Sequence, residues 1–133
     1  MSKDLTVTDL FQMVGNFHHS FEEKEYNVHG IPLEQIKLRF DLGKEEMQET
    51  DDALIQRDVV EAFDGMIDQL FILVGTMRKA GFNSRQVARG FEEVFRSNMS
   101  KLQDGKVIRR EDGKILKGEG YFKPSLKEII EKN

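Results

Sequence analysis

From Val59 to Lys79 the chain lays apolar side chains most of the way round one helix, and this segment restricts the fold more than any other. At about 100° per residue, Val60, Phe63, Met66, Ile67, Leu70, Leu73, Val74 and Met77 cover more than half the circumference. A helix apolar on so many sides has to be covered on as many. The other helical segments are too few to surround it, so a second copy of the chain is expected to complete the core. A symmetric homodimer is the simplest form. Gly81 ends the segment with a C-terminal helix signal.

Three further helices follow from the pattern. Leu10, Val14, Phe17 and Phe21 recur at helical spacing and predict a helix over about 8–21. After a polar connection from Glu22 to Gly30, Pro32 suits the first position of a second helix reaching about Gln56, with Leu38 and Leu42 on its apolar side. Asn83 followed three residues later by Gln86 resembles a capping box and opens a helix through Val87, Phe91, Val94 and Phe95. Beyond Leu102, Asp104-Gly105 and Asp112-Gly113 are turn dipeptides. Val107-Ile108 and Ile115-Leu116 flank the second, which suits a short hairpin or an irregular tail. Ser125 is placed to cap a last short helix through Ile130. The expected fold is all-α, a bundle of four to five helices completed by dimerisation, with a C-terminal hairpin or irregular tail. The length of 133 residues suits one domain spanning 1–133.

Composition removes several function classes. There is no cysteine, hence no disulfide framework, thiolate metal site or cysteine nucleophile. The start, Met1-Ser2-Lys3-Asp4, lacks a signal-peptide apolar region. The longest strongly apolar run, Leu70 to Val74, is far below the ~20 residues of a membrane span. A cytoplasmic protein with no membrane partner is expected. Net charge is −4. Setting aside six acids, Glu45, Glu46, Glu49, Glu61, Asp64 and Asp68, leaves a slightly basic remainder. The acidity is therefore local and suits a cation site. No broad footprint for a nucleic-acid polymer is visible.

Those six acids form two clusters. Glu45, Glu46 and Glu49 read E-E-x-x-E and project from one face of the second helix, in line with Leu42 and Leu38. On the third helix Glu61, Asp64 and Asp68 fall within roughly 60° of each other and lead into Phe71, Ile72 and Gly75. Both groups thus continue stripes expected to be buried. Carboxylates converging without basic partners repel and rise in pKa. A hard divalent cation, Mg²⁺ or Mn²⁺, would relieve them. It would also serve phosphate chemistry, with a free carboxylate as general base. An E-E-x-x-E alone also occurs on ordinary solvated helices, whereas acids set into an apolar helix are costly without a role.

The E-E-x-x-E, a short gap and an acidic helix running into Asp68-Gln69-Leu70-Phe71 resemble the all-alpha nucleoside triphosphate pyrophosphohydrolases. Phe17-His18 with Phe21, Leu38-Arg39-Phe40, Val74-Gly75-Thr76 and the run from Glu93 to Lys101 are similar to the MazG-like branch of phages and bacteria, which also resembles phosphoribosyl-ATP pyrophosphohydrolase. So is the tail, with Arg110-Glu111-Asp112-Gly113-Lys114 and the run from Lys117 to Pro124. The resemblance implies a helical dimer or dimer of dimers holding Mg²⁺ on carboxylates of two helices. It implies hydrolysis of a nucleoside triphosphate (a dNTP, dUTP or a non-standard nucleotide) to the monophosphate and pyrophosphate. Glu45, Glu46, Glu49 and Asp68 correspond to its metal ligands, and which of Glu45 and Glu46 orients water is left open.

Two departures stand out. The usual Glu-x-x-Asp ending at Asp68 would need Glu at 65, where this chain has Gly65, so Asp64 and Glu61 would have to supply the missing carboxylate. Gly43-Lys44 replaces the usual apolar residues, which a close approach or a local bend would explain. Arg96, Asn98, Lys101 and Lys117 are candidates to hold the triphosphate, and Tyr121 or Phe122 to stack on a base. The same aromatics with Pro124 would equally serve to dock the tail. His18 beside an apolar stripe reads as structural, and Met13, Met47, Met66, Met77 and Met99 as packing residues. Two alternatives remain: phosphoribosyl-ATP hydrolysis, and a non-catalytic helical dimer that acts as a binding scaffold.

Overall fold

A computed structural model describes residues 3–132, so Met1, Ser2 and the final Asn133 of the sequence lie outside it. Its elements are helices α1 (Val7–Ser20), α2 (Leu33–Ile55), α3 (Val59–Lys79) and α4 (Ser84–Met99), strands β1 (Ile108–Arg109) and β2 (Ile115–Leu116), and helix α5 (Lys127–Lys132). They fall into two compact units, Met1–Asn83 and Ser84–Asn133. The fold is all-α with a small C-terminal hairpin, as the sequence pattern implied. No helix among the described residues is long and apolar enough to cross a membrane.

In the first unit, local chemistry sets the helix ends. Thr6 caps α1: its hydroxyl accepts from the Asp9 amide at 3.1 Å and its own amide donates to the Asp9 carboxylate at 2.9 Å. Asp58 caps α3, accepting from the Glu61 amide at 3.1 Å. Gly81 ends it with φ of +91°, a left-handed conformation that a side chain would strain. Arg57, at φ +60°, turns the chain between α2 and α3.

The polar connection after α1 is fastened to α3. Glu25 receives two hydrogen bonds from Arg78, at 2.6 and 3.0 Å, and lies 2.8 Å from His18 Nδ1. Arg78 also donates to Phe11 O on α1 at 3.0 Å. Burial alone would raise the Glu25 carboxyl, but the bonds to Arg78 and His18 outweigh it and hold the group below its ordinary value. Lys79, almost fully enclosed, donates to Lys24 O at 2.9 Å. His18 is buried within this network, which makes it structural.

Helices α2 and α3 form an antiparallel pair pinned at two levels. Arg39 donates to Thr76 Oγ1 at 3.0 Å and to Ile72 O at 2.7 Å. Nearer the connection, Gln69 Nε2 donates to Thr50 Oγ1 at 2.9 Å. The core of the unit is small: Phe11, Val14, Ala53, Ala62 and Val74 are its buried apolar residues. The expected covering of α3 is incomplete within the chain, since Val60 is 81% exposed, Phe63 65% and Leu73 54%. Leu38 is exposed too, and so are Met13, Met47, Met66 and Met99. The packing roles expected for those residues are therefore not met inside this single chain.

In the second unit, the tail docks on α4 through serines. Buried Ser97 donates to Phe122 O at 2.8 Å, and the Phe122 amide donates to Ser100 Oγ at 3.1 Å. Gln86 reaches Ile130 O at 3.1 Å and Glu93 accepts from the Ser125 amide at 2.7 Å. The two strands pair antiparallel, Ile108 with Leu116 and Arg109 with Ile115.

Two helix glycines have opposite surroundings. A Cβ on Gly43 would meet nothing within 4 Å, so the close approach considered for it is absent. A Cβ on Gly65 would collide with Thr50 Oγ1 and stand 3.2 Å from Thr50 Cβ. Gly43→Ala is expected to raise stability by up to about 1 kcal/mol through helix propensity. Gly65→Ala is expected to lower it by about 1–3 kcal/mol through overpacking. Urea melts of both variants check this, and shifts of the same sign would contradict it.

Candidate metal centre

The antiparallel register of α2 and α3 sets the E-E-x-x-E of one helix against the acidic turns of the other. Three of the six predicted carboxylates, Asp68, Glu49 and Asp64, act on a fourth, Glu46. Glu46 is their centre: it is half-buried, and its Oε2 is enclosed with no hydrogen-bond partner. Burial pushes its pKa above the ordinary value, the charges of Asp68, Glu49 and Asp64 push it further, and a hydrogen bond with Glu49 adds to this. Glu45 and Glu61 are exposed and are not among the charges that act on Glu46.

Among the described residues, no lysine, arginine or histidine forms an ion pair with any of the six acids. No ion pair among the described residues thus offsets their negative charge. Nor, among those residues, does any group of three or more histidines or acids stand as a ready-made metal cage. The chemistry of the donors nonetheless fits a hard divalent cation: they are all oxygen, and one is buried and orphaned.

The candidate phosphate-binding residues belong to the second unit. Arg96 pairs with Glu93 at 3.0 Å and lies over the Phe122 ring at 4.4 Å. Lys117 lies over the Tyr121 ring at 4.8 Å, so one face of that aromatic is already engaged. Lys101 is half-buried and its carbonyl accepts from the Gly118 amide at 2.9 Å, while Asn98 is exposed. Phe122 and Arg96 therefore take part in docking the tail.

The model of the phosphoribosyl-ATP pyrophosphohydrolase family matches residues 14–98, the stretch that contains all six acids. The chain belongs to this family. The match supports the superfamily read from the motifs, which joins that family to the MazG-like proteins, and with it a hydrolase of the pyrophosphohydrolase class. It ends before Lys101, Lys117 and Tyr121. No curated protein matches the chain.

Gly65 now has a physical reading. It is buried against Thr50, so a side chain at that point of α3, a glutamate included, would require Thr50 to shift. Asp64, one residue earlier, is among the charges around Glu46. Sequence reasoning missed Thr50 and Gln69, which join the two acid-bearing helices. The available signal was a β-branched residue in a helix interior with a glycine in the helix that pairs with it.

Because Glu46 holds its proton more tightly folded than unfolded, the metal-free protein loses stability as pH rises through the raised value. Glu46→Gln removes that loss. Without metal at pH 7.5, the variant is expected to melt above the wild type, and the gap to close as pH falls toward the ordinary glutamate value of 4.5. A variant less stable than wild type at neutral pH would contradict the electrostatic account.

Proposed function

We propose that this chain hydrolyses a nucleoside triphosphate to its monophosphate and pyrophosphate, using Mg²⁺ held by Glu46, Glu49, Asp64 and Asp68. The observation that carries the reading is the half-buried Glu46 carboxyl, whose Oε2 has no hydrogen-bond partner and which three other acids oppose, with no ion pair among the described residues, in a chain of a pyrophosphohydrolase family. Bound there, Mg²⁺ (or Mn²⁺ in its place) supplies charge neutralisation at the phosphate oxygens. Glu45 or Glu46, on a carboxylate oxygen that the metal does not occupy, accepts the proton of the attacking water. Exposed Glu45 flanks the cluster, and Glu61 lies one helical turn before Asp64. Arg96, Asn98, Lys101 and Lys117 remain the candidates for triphosphate contacts, with Tyr121 as base-stacking candidate. A dNTP, dUTP or damaged nucleotide is the preferred substrate class. The family's own description favours phosphoribosyl-ATP as the second reading.

Pyrophosphate release tests both. With Mg²⁺ or Mn²⁺, one of a panel of dNTPs, NTPs, dUTP and phosphoribosyl-ATP is expected to yield pyrophosphate. Glu46→Gln is expected to slow release by about a hundredfold or more, the scale of a lost general base. No release from any of them by folded, metal-loaded protein would leave a non-catalytic scaffold.

A homodimer belongs to the same proposal. Val60, Phe63 and Leu73 are exposed around α3, and an apolar groove of about 80 Å³ runs between Leu10 and Met13 of α1 and Ile67 and Leu70 of α3. Apolar faces of this kind suit an interface between subunits. Sedimentation equilibrium is expected to give at least a dimer for the wild type and to shift toward monomer for Phe63→Glu. A monomeric wild type at micromolar concentration would contradict it.

A further inference from the structure

Thr50 occupies a position that helix propensity does not explain. It is a β-branched residue in the interior of α2, and its hydroxyl is almost wholly buried. That hydroxyl bridges the two helices: it donates to Glu46 O at 2.7 Å and accepts from Gln69 Nε2 at 2.9 Å. Gln69 Nε2 also donates to Gly65 O at 3.3 Å. The absence of a side chain at Gly65 admits Thr50 against α3, since a Cβ there would collide with the hydroxyl.

The bridge has an informative location. On α2 it ends on the carbonyl of Glu46, the residue at the centre of the acid cluster. On α3 it ends on Gln69, the neighbour of Asp68. The acids between these ends repel one another, which works to part the helices. Arg39 holds the pair farther along, through Thr76 and Ile72, but no other side-chain bridge between α2 and α3 lies at the level of the acids among the described residues.

We propose that Thr50 is a positioning residue for the cation site: clamped between Glu46 O and Gln69 over Gly65, its hydroxyl sets how closely the two acid-bearing helices approach and so whether Glu46 and Asp68 share one ion. This rests on the metal reading given above. Thr50 touches neither ion nor substrate, and it acts through the backbone of Glu46 and the side chain of Gln69.

Mn²⁺ titration followed by electron paramagnetic resonance, with metal-free thermal melts by circular dichroism, tests the proposal on the full chain. Thr50→Ser keeps the hydroxyl and is expected to bind Mn²⁺ like the wild type, within about twofold. Thr50→Val keeps the shape and loses the bridge, and is expected to bind about tenfold more weakly, the usual scale for a residue that orients metal ligands. Gln69→Leu, which cuts the same bridge from α3, is expected to show a similar loss and carries the test should Thr50→Val fail to fold. Folded Thr50→Val or Gln69→Leu with wild-type Mn²⁺ affinity would overturn the proposal, even with a lowered melting temperature. Wild type that binds no Mn²⁺ would remove the cation reading itself and the proposal with it, a result distinct from unchanged affinity in the variants.

Discussion

The half-buried Glu46 carboxyl on α2, opposed by the charges of Asp68, Glu49 and Asp64 and with no ion-pair partner among the described residues, is the constraint on which the α2–α3 contact depends. A group such as Glu46 raises the free energy of the folded chain when charged, because burial and three like charges oppose its ionisation. The surrounding structure has to tolerate that cost. It does so with fixed polar bonds on both sides of the cluster: Arg39 on Thr76 and Ile72, and Thr50 on Gln69. The apolar core, five buried residues among the described ones, is small beside these polar restraints.

The same economy explains the connection between α1 and α2. Its polar residues would be expected to form a loose loop, yet Glu23, Glu25 and Tyr26 are tied to Arg78 and Lys79 at the C-terminal end of α3. Cations at a helix C-terminus favour that end of its dipole, and here they also anchor a second segment. The end of α3 opposite the α2–α3 connection is thereby fixed to α1, through Phe11 O and His18.

Much of this was legible in the sequence, for identifiable reasons. The bounds of α3 follow from unbroken apolar periodicity and a terminal glycine, and the hairpin was one of two readings left open by the apolar pairs around Asp112-Gly113. Helical spacing aligned six acids in two clusters, Glu45, Glu46 and Glu49 on α2 and Glu61, Asp64 and Asp68 on α3, without distinguishing among them. Which acid lies at the centre was not legible, since depth depends on the register between helices. Thr50 with Gly65 is that register, and neither residue carries a charge to draw notice. Leu38, expected on a core stripe, is exposed in the single chain, whereas the exposure of Phe63 and Met66 accords with a helix that the chain's own segments were too few to surround.

The central claim, that the α2–α3 contact holds a divalent cation, is tested most directly by substoichiometric Mn²⁺ added to isotopically labelled protein. Paramagnetic broadening falls off steeply with distance, so amide signals report where the ion sits. The account predicts selective loss of signals at residues 45–50 and 64–69, reversed by chelation. Broadening spread over all exposed acids, or centred on another part of the chain, would contradict it.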